Sequence, residues 1–235
     1  MATPELPPQT FKVKDYIFTI SEGTHEDIPD FIDAFDAAFV DNQLFNTMSG
    51  TGDPALLRKR DIKFWEGQWT LSGRRHFKVV DEATGKIAAI SRWWFPHTPT
   101  AEEVAKAEEA KNGPPPEPIP GTNARLSKEF VKQLFDYRLK WVKTDDMYMM
   151  NILAVVPEYQ RLGLGLALLK PVLKMADKEG KKTYIEASEA GEKLYRRLGW
   201  EETGDTISLD FTKYGAEGGV DVQLMMREPG AGIEL

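Results

Sequence analysis

The sequence predicts an α/β domain built on a mixed, mostly antiparallel sheet with helices against its faces. Three observations carry this reading. The apolar run Met149–Val156 ends at Pro157 and is followed by a short polar loop, two glycines and a run of helix formers, Leu164 to Lys178. Thr183–Ala187 then returns as a second strand through that helix, so the two strands are parallel and the crossover right-handed. Elsewhere the strands sit in hairpins: His76–Val80 with Lys86–Phe95 around Asp81–Gly85, and Thr206–Phe211 with Val220–Met226.

At 235 residues the chain suffices for one core with an excursion, and a single domain over 1–235 is expected. Its 41% hydrophobic and 29% charged residues describe a globular protein, and no apolar run approaches the roughly 20 residues a membrane helix needs. Residues 1–8 have neither a basic n-region nor an apolar core, so no secretory signal is read and a cytoplasmic location is expected. The absence of cysteine excludes disulfides, thiolate metal sites and a cysteine nucleophile. The histidines His25, His76 and His97 lack metal-ligand spacing, and no metal is expected. A net charge of −7 argues against a nucleic-acid surface and weakly favours a cationic acceptor through its long-range field.

In chain order, the proline-rich residues 1–12 read as a poorly ordered arm and Tyr16–Ile20 as the first strand. Thr24 caps a helix that carries Ile28, Phe31, Ile32, Phe35 and Phe39 at helical spacing. Gly50-Thr51-Gly52 mimics a phosphate loop, but no strand precedes it, and Asp53-Pro54 starts a helix that runs through Trp65. Trp93, Trp94 and Phe95 cannot all face one side of a strand; one or two could line an acceptor pocket, or all could be core and strand-end packing. Residues 96–122 read as an insertion, a charged helix Ala101–Lys111 followed by the proline run Gly113–Pro120. Leu126–Val142 is amphipathic, with Phe130, Val131, Leu134, Phe135 and Leu139 on one side. Pro171 lies inside the helix that follows Gly165 and should remove one hydrogen bond there. Ser188 precedes a short helix to Leu198, and Trp200–Thr203 begins a further strand.

A strand, a glycine loop and a helix start leave backbone N–H groups unpaired at the positive end of a helix dipole, which binds phosphate. A Walker loop would need Lys-Ser or Lys-Thr where Leu166-Ala167 stands, and the dinucleotide fingerprint a small residue at Leu168. Gln160-x-x-Gly163-x-Gly165 instead resembles the coenzyme A loop of the GNAT acetyltransferases. Taken alone, that pattern is equally a tight strand-to-helix turn. Downstream, Leu194-Tyr195-x-x-x-Gly199-Trp200 resembles the second half of the same fold. The likeness is good over Met147–Asp205 and is closest to branches that acetylate small-molecule amines, such as the puromycin-type enzymes. Residues 1–95 match only in the order of elements, and 96–122 not at all.

The resemblance implies a GNAT fold, with the parallel pair splayed apart, and direct acetyl transfer from acetyl-CoA to a small-molecule amine without an acyl-enzyme. In the family, pantetheine pairs like an added strand, here with Leu153, Ala154, Val155 and Val156. Pyrophosphate sits on the N–H groups of Arg161, Leu162, Gly163, Leu164, Gly165, Leu166 and Ala167. Tyr195 stands where the general acid protonates the departing thiolate; the plainer reading is a core tyrosine with its hydroxyl on backbone. Glu186 is the candidate base, directly or through water, or else a strand carboxylate paired with a neighbouring cation; Asp145 and Asp146 are reserves. Ser188 either caps its helix or meets the pantetheine. A peptide or protein acceptor, and a non-catalytic acyl-CoA binder, are the alternatives. The oligomeric state is not encoded in any motif.

Overall fold

The computed structural model describes residues 6–112 and 117–232. Eight strands form one sheet: β1 (Gln9–Val13), β2 (Tyr16–Glu22), β3 (Arg74–Asp81), β4 (Ile87–Trp94), β5 (Tyr148–Val155), β6 (Thr183–Ala187), β7 (Trp200–Asp210) and β8 (Gly219–Arg227). Their order is β1-β2-β3-β4-β5-β6-β8-β7. Every neighbouring pair is antiparallel except β5 and β6, which are parallel. The helices are α1 (Ile28–Ala38), α2 (Gln43–Ser49), α3 (Pro54–Trp69), α4 (Ala101–Asn112), α5 (Ala124–Trp141), α6 (Leu164–Glu179) and α7 (Glu189–Arg197).

The two faces of the sheet are covered differently. Leu164, Leu168, Val172 and Ala176 of α6 pack with Tyr195, Trp200, Phe77, Trp93 and Met150 on one face. Helices α1 and α3 cover Ile90 and Ala154 on the other face, and α5 covers Met149, Tyr184 and Leu224 beside them. The N-terminal residues correct the expected arm: Gln9–Val13 pair fully with β2. Residues 1–5 of that arm, and Gly113–Pro116 of the proline run, lie outside the described residues.

Local signals act as the sequence suggests at most boundaries. The Asp53 carboxylate accepts from the N–H groups of Ala55 and Leu56 to start α3, and Gly85 turns the β3–β4 hairpin at φ 69°. Helix α6 continues through Pro171, whose missing N–H leaves the Ala167 carbonyl without its usual donor. Two expectations change. Trp200–Thr203 and Thr206–Asp210 are one strand, bulged between Glu202 and Thr206. The buried side of α5 is Leu126, Phe130, Leu134, Tyr137 and Trp141, while Val131, Phe135 and Leu139 face solvent. No described helix is long and apolar enough to cross a membrane.

Candidate active site

The site forms where β5 ends. A one-turn 3-10 helix, Pro157–Tyr159, follows the strand. Its Tyr159 is buried against Phe18 and donates to the Asp81 carboxylate at 3.1 Å, tying the loop to the β3–β4 turn. The Gln160 side chain donates back to the Val155 carbonyl at 3.2 Å. Arg161 and Gly163 both have positive φ, 62° and 80°, and curl the backbone into the start of α6. From Arg161 to Leu166 no N–H donates to an acceptor among the described residues, whereas Ala167 bonds the Gly163 carbonyl at 3.0 Å. The anion-binding fan is thus one residue shorter than expected.

The two glycines have different reasons. Gly163 is required by its φ, since a side chain there would be strained even in open space. Gly165 has no positive φ; a Cβ would lie 3.5 Å from Leu194, 3.6 Å from Leu153 and 3.9 Å from Val155, ordinary contact distances. Packing therefore tolerates alanine at 165. Six consecutive amides without acceptors among the described residues, from Arg161 to Leu166, suit a diphosphate, so the loop fits the cofactor that the sequence implies.

The parallel pair comes apart above this loop. β5 and β6 pair only at Tyr148↔Thr183, Met149↔Tyr184 and Met150↔Ile185, although β5 runs on to Val155. A bulge between Arg92 and Trp93 in the β4–β5 ladder turns β5 at the point where it leaves β6. Val156 N–H bonds the Ala88 carbonyl, so by strand alternation Leu153 and Val155 present their main-chain groups to the opening. Ala154 and Val156 face β4 instead, which removes them from the expected set of main-chain partners.

Helix α7 sets Leu194 3.5 Å from where a Gly165 Cβ would lie, and Tyr195 is the next residue on it. The side chain is buried and meets Trp200 edge-on, ring centroids 5.7 Å apart. It leans toward the N-terminal turn of α7 across Gly191. Its hydroxyl has no hydrogen-bond partner among the described residues, which sets aside the reading of a phenol anchored on backbone. Burial pushes its pKa well above the usual phenol value, so it holds its proton throughout the working range.

The remaining candidates separate. Glu186 receives two hydrogen bonds from Arg138, at 2.7 and 2.6 Å, and is thus a strand carboxylate paired with a cation. Asp145 and Asp146 are exposed at the far end of β5 from the opening and are no reserves for it. Ser188 occupies the N-cap position of α7 with extended backbone, and its side chain makes no cap bond. Arg196 pairs with Glu192 and Glu202, while Lys193, Arg197 and Arg161 are exposed. Trp93 and Phe95 are core; Trp94, on the other face, lies under the Arg74 guanidinium at 3.5 Å. An open depression of about 830 Å³ is bounded by Asn46, Thr51, Thr122, Arg125 and Tyr214 and shares no residue with the amide fan or Tyr195. Tyr159 and Gly191 are the functional positions that no motif flagged.

A splayed parallel pair with an amide fan at its mouth is the arrangement that the sequence likeness to acetyl-CoA-dependent N-acetyltransferases implied. Residues 142–214 match the family model for the acetyltransferase (GNAT) domain. Among solved structures, arylalkylamine N-acetyltransferase 2 from Aedes aegypti aligns at TM-score 0.60 and 16% identity, covering 91% of this chain and 99% of the other. A histone acetyltransferase HPA2-related protein from Corynebacterium glutamicum aligns at 0.58 and 17%, covering 92% and 98%. An N-acetyltransferase from Thermoplasma acidophilum, solved with coenzyme A, aligns at 0.50 and 11%, covering 90% and 98%. The likeness to the GNAT acetyltransferase domain thus falls on the stretch from Val142 to Tyr214, which carries β5, the amide fan, α6, β6 and α7.

Proposed function

We propose that the chain transfers the acetyl group of acetyl-CoA directly to the primary amine of a small molecule. The observation that carries it is the run of free amides Arg161–Leu166 where β5 leaves β6; the Tyr195 hydroxyl, on the helix whose Leu194 packs beside Gly165, supports it. The amides of the fan, with the dipole of α6 behind them, hold the diphosphate. Leu153 and Val155 align the pantetheine arm, and Ser188 is free to bond it.

The thioester supplies an activated carbonyl. As the amine nitrogen forms its bond to that carbon, the carbon–sulfur bond breaks and Tyr195 gives its proton to the leaving sulfur. The departing thiol is a stronger acid than a buried phenol, so Tyr195 acts as a hydrogen-bonded donor that need not lose its proton early. With Glu186 held by Arg138, the proton of the attacking ammonium passes to water, and Tyr195 recovers its own from solvent. The face opposite α6 favours a small acceptor over a peptide: α3 and α5 roof it, with Trp65 beneath Arg92 and Arg138 over Trp94.

Tyr195→Phe tests this against the non-catalytic alternative. An enzyme should lose about ten- to a thousandfold in kcat while keeping its acetyl-CoA affinity. If CoA is released from no amine across a panel of monoamines, polyamines, amino acids and peptides, the binder reading replaces it.

A further inference from the structure

On the face of the sheet opposite α6, the β3–β4 register sets Arg74 against Trp94 and His76 against Arg92, four neighbours on one side. Arg138 of α5 joins them, its guanidinium 4.9 Å from the Trp94 ring. Three guanidiniums therefore share one buried block with a single carboxylate beside it, and both oxygens of that carboxylate, on Glu186, belong to Arg138. Glu103 acts on Arg74 only at range, its carboxylate being held by the N–H groups of Ser72 and Thr100.

The donors in this block are not used up. Arg92, 4% exposed, gives Nε and Nη2 to the Asn151 side chain and leaves Nη1 buried without a partner. Arg74 leaves Nε and Nη1 in the same state, and so does the Trp94 indole N–H. His76, 2% exposed, leaves Nε2 unpartnered. Stacking on Trp94 and Trp65 shields the flat faces of the arginines but satisfies none of these edges. Buried donors and buried charge of one sign are costly unless an acceptor of the opposite sign completes them. Burial first, then the neighbouring guanidiniums, brings Arg92 down to about 9 and Arg74 to about 10.

We infer that Arg74, Arg92 and the indole N–H of Trp94 form a pocket for a carboxylate on the acceptor, which is therefore an amino-acid-like molecule carrying both an amine and an acid. A planar carboxylate matches a guanidinium fork edge to edge. The identity of that molecule as an acceptor rests on the acetyltransferase reading above. Locally, the block reverses what the net charge of −7 suggested about a cationic partner.

The test uses the full chain and two readouts. With saturating acetyl-CoA, CoA release is followed for pairs of amines that differ only in the acid, each amino acid against its own amide. The acid should be preferred by about ten- to a hundredfold in kcat/KM, the range for one lost charge-assisted pair. Arg74→Gln should collapse that ratio, and Arg74→Lys, with charge but no fork, should restore only part of it. Independently, acetate or benzoate should raise the melting temperature above that in chloride of equal ionic strength, and Arg74→Gln, if folded by circular dichroism, should abolish the rise. A larger rise in phosphate, no rise in any anion, or turnover indifferent to the acid and to Arg74 overturns the pocket while leaving the acetyltransferase intact. An Arg74-dependent carboxylate shift without turnover of any amine leaves the pocket standing and removes the transferase reading.

Discussion

Tyr195 lies across Gly191, so close that a Cβ on the glycine would sit 2.8 Å from the phenol Cζ and 2.9 Å from its oxygen. The two are one helical turn apart, and side chains of a helix lean toward its N-terminus, so the residue four positions back decides where the ring can go. Trp200 closes the other side edge-on. The ring is held by a missing methyl on one side and an indole on the other.

Gly191→Ala should therefore push the phenol off its position. The expected result is a fall in kcat of about ten- to a hundredfold, most of the effect expected for a lost acid, with the KM for acetyl-CoA little changed. Alanine favours the helix by up to about 1 kcal/mol, so urea unfolding should show no loss comparable to the loss of rate. A variant with full activity would mean that the hydroxyl need not be where Gly191 allows it.

The two loop glycines should respond in opposite ways. Gly165→Ala meets only ordinary contacts and should leave stability unchanged or slightly raised, yet weaken acetyl-CoA binding about tenfold by crowding the amide fan. Gly163→Ala must hold φ near 80° and should cost about 1 kcal/mol of stability as well. Calorimetric titration with CoA and urea unfolding of both variants separate the two effects. Equal destabilisation with unchanged CoA affinity would reduce both glycines to turn formers.

Much of this site is legible because its signals are local. The apolar run of β5, the glycines after it, and Leu194-Tyr195 with Gly199-Trp200 lie within one stretch, and each element announces its own ends. What was not legible is non-local. Residues 9–13 become a strand only by pairing with β2, and little in their own pattern requires it. Helix α5 carries two apolar stripes, and only packing against Met149 and Tyr184 selects the Phe130 stripe over the Phe135 one. That Glu186 pairs with a cation was one of two open readings, and nothing local names its partner, since Arg138 stands 48 residues away. The arginine block has no motif at all, being assembled by hairpin register and a helix from elsewhere.

Arg227 fixes the far end of α7. Only 1% exposed, it donates to both oxygens of Asp177 in α6, at 2.6 and 2.9 Å, and to the carbonyls of Leu198 and Ala231. Replacing it with methionine leaves Asp177 with the Gly230 N–H but no counter-charge and takes the guanidinium donor from two carbonyls, and the expected loss is about 3 kcal/mol in urea unfolding. The segment around Gly230, whose N–H also reaches Asp177, should become sensitive to limited proteolysis. Adding Asp177→Asn should return part of the stability, since the stranded charge goes with it. If the double variant is less stable than Arg227→Met alone, the pair is not the clamp described here.

His76 gives the fold an acid-sensitive point with a defined sign. Its ring lies flat on Trp69, centroids 3.8 Å apart, and burial, then the charges of Arg92 and Arg74, lower its pKa from 6.5 to about 3. The folded protein thus keeps His76 neutral while the unfolded chain takes up a proton below pH 6.5. Protonation favours the unfolded chain, so stability present above pH 6.5 is lost as pH falls toward 3, by up to about 1.4 kcal/mol per unit from this residue. Carboxylates contribute in the same window, so the measurement is a difference between two proteins. His76→Phe keeps the stack on Trp69 and removes the titration. Urea unfolding at pH 7, 6, 5 and 4 should show the variant gaining on the native chain at each step below 6.5. Parallel curves would mean that the imidazole is protonated inside the fold despite two guanidiniums beside it.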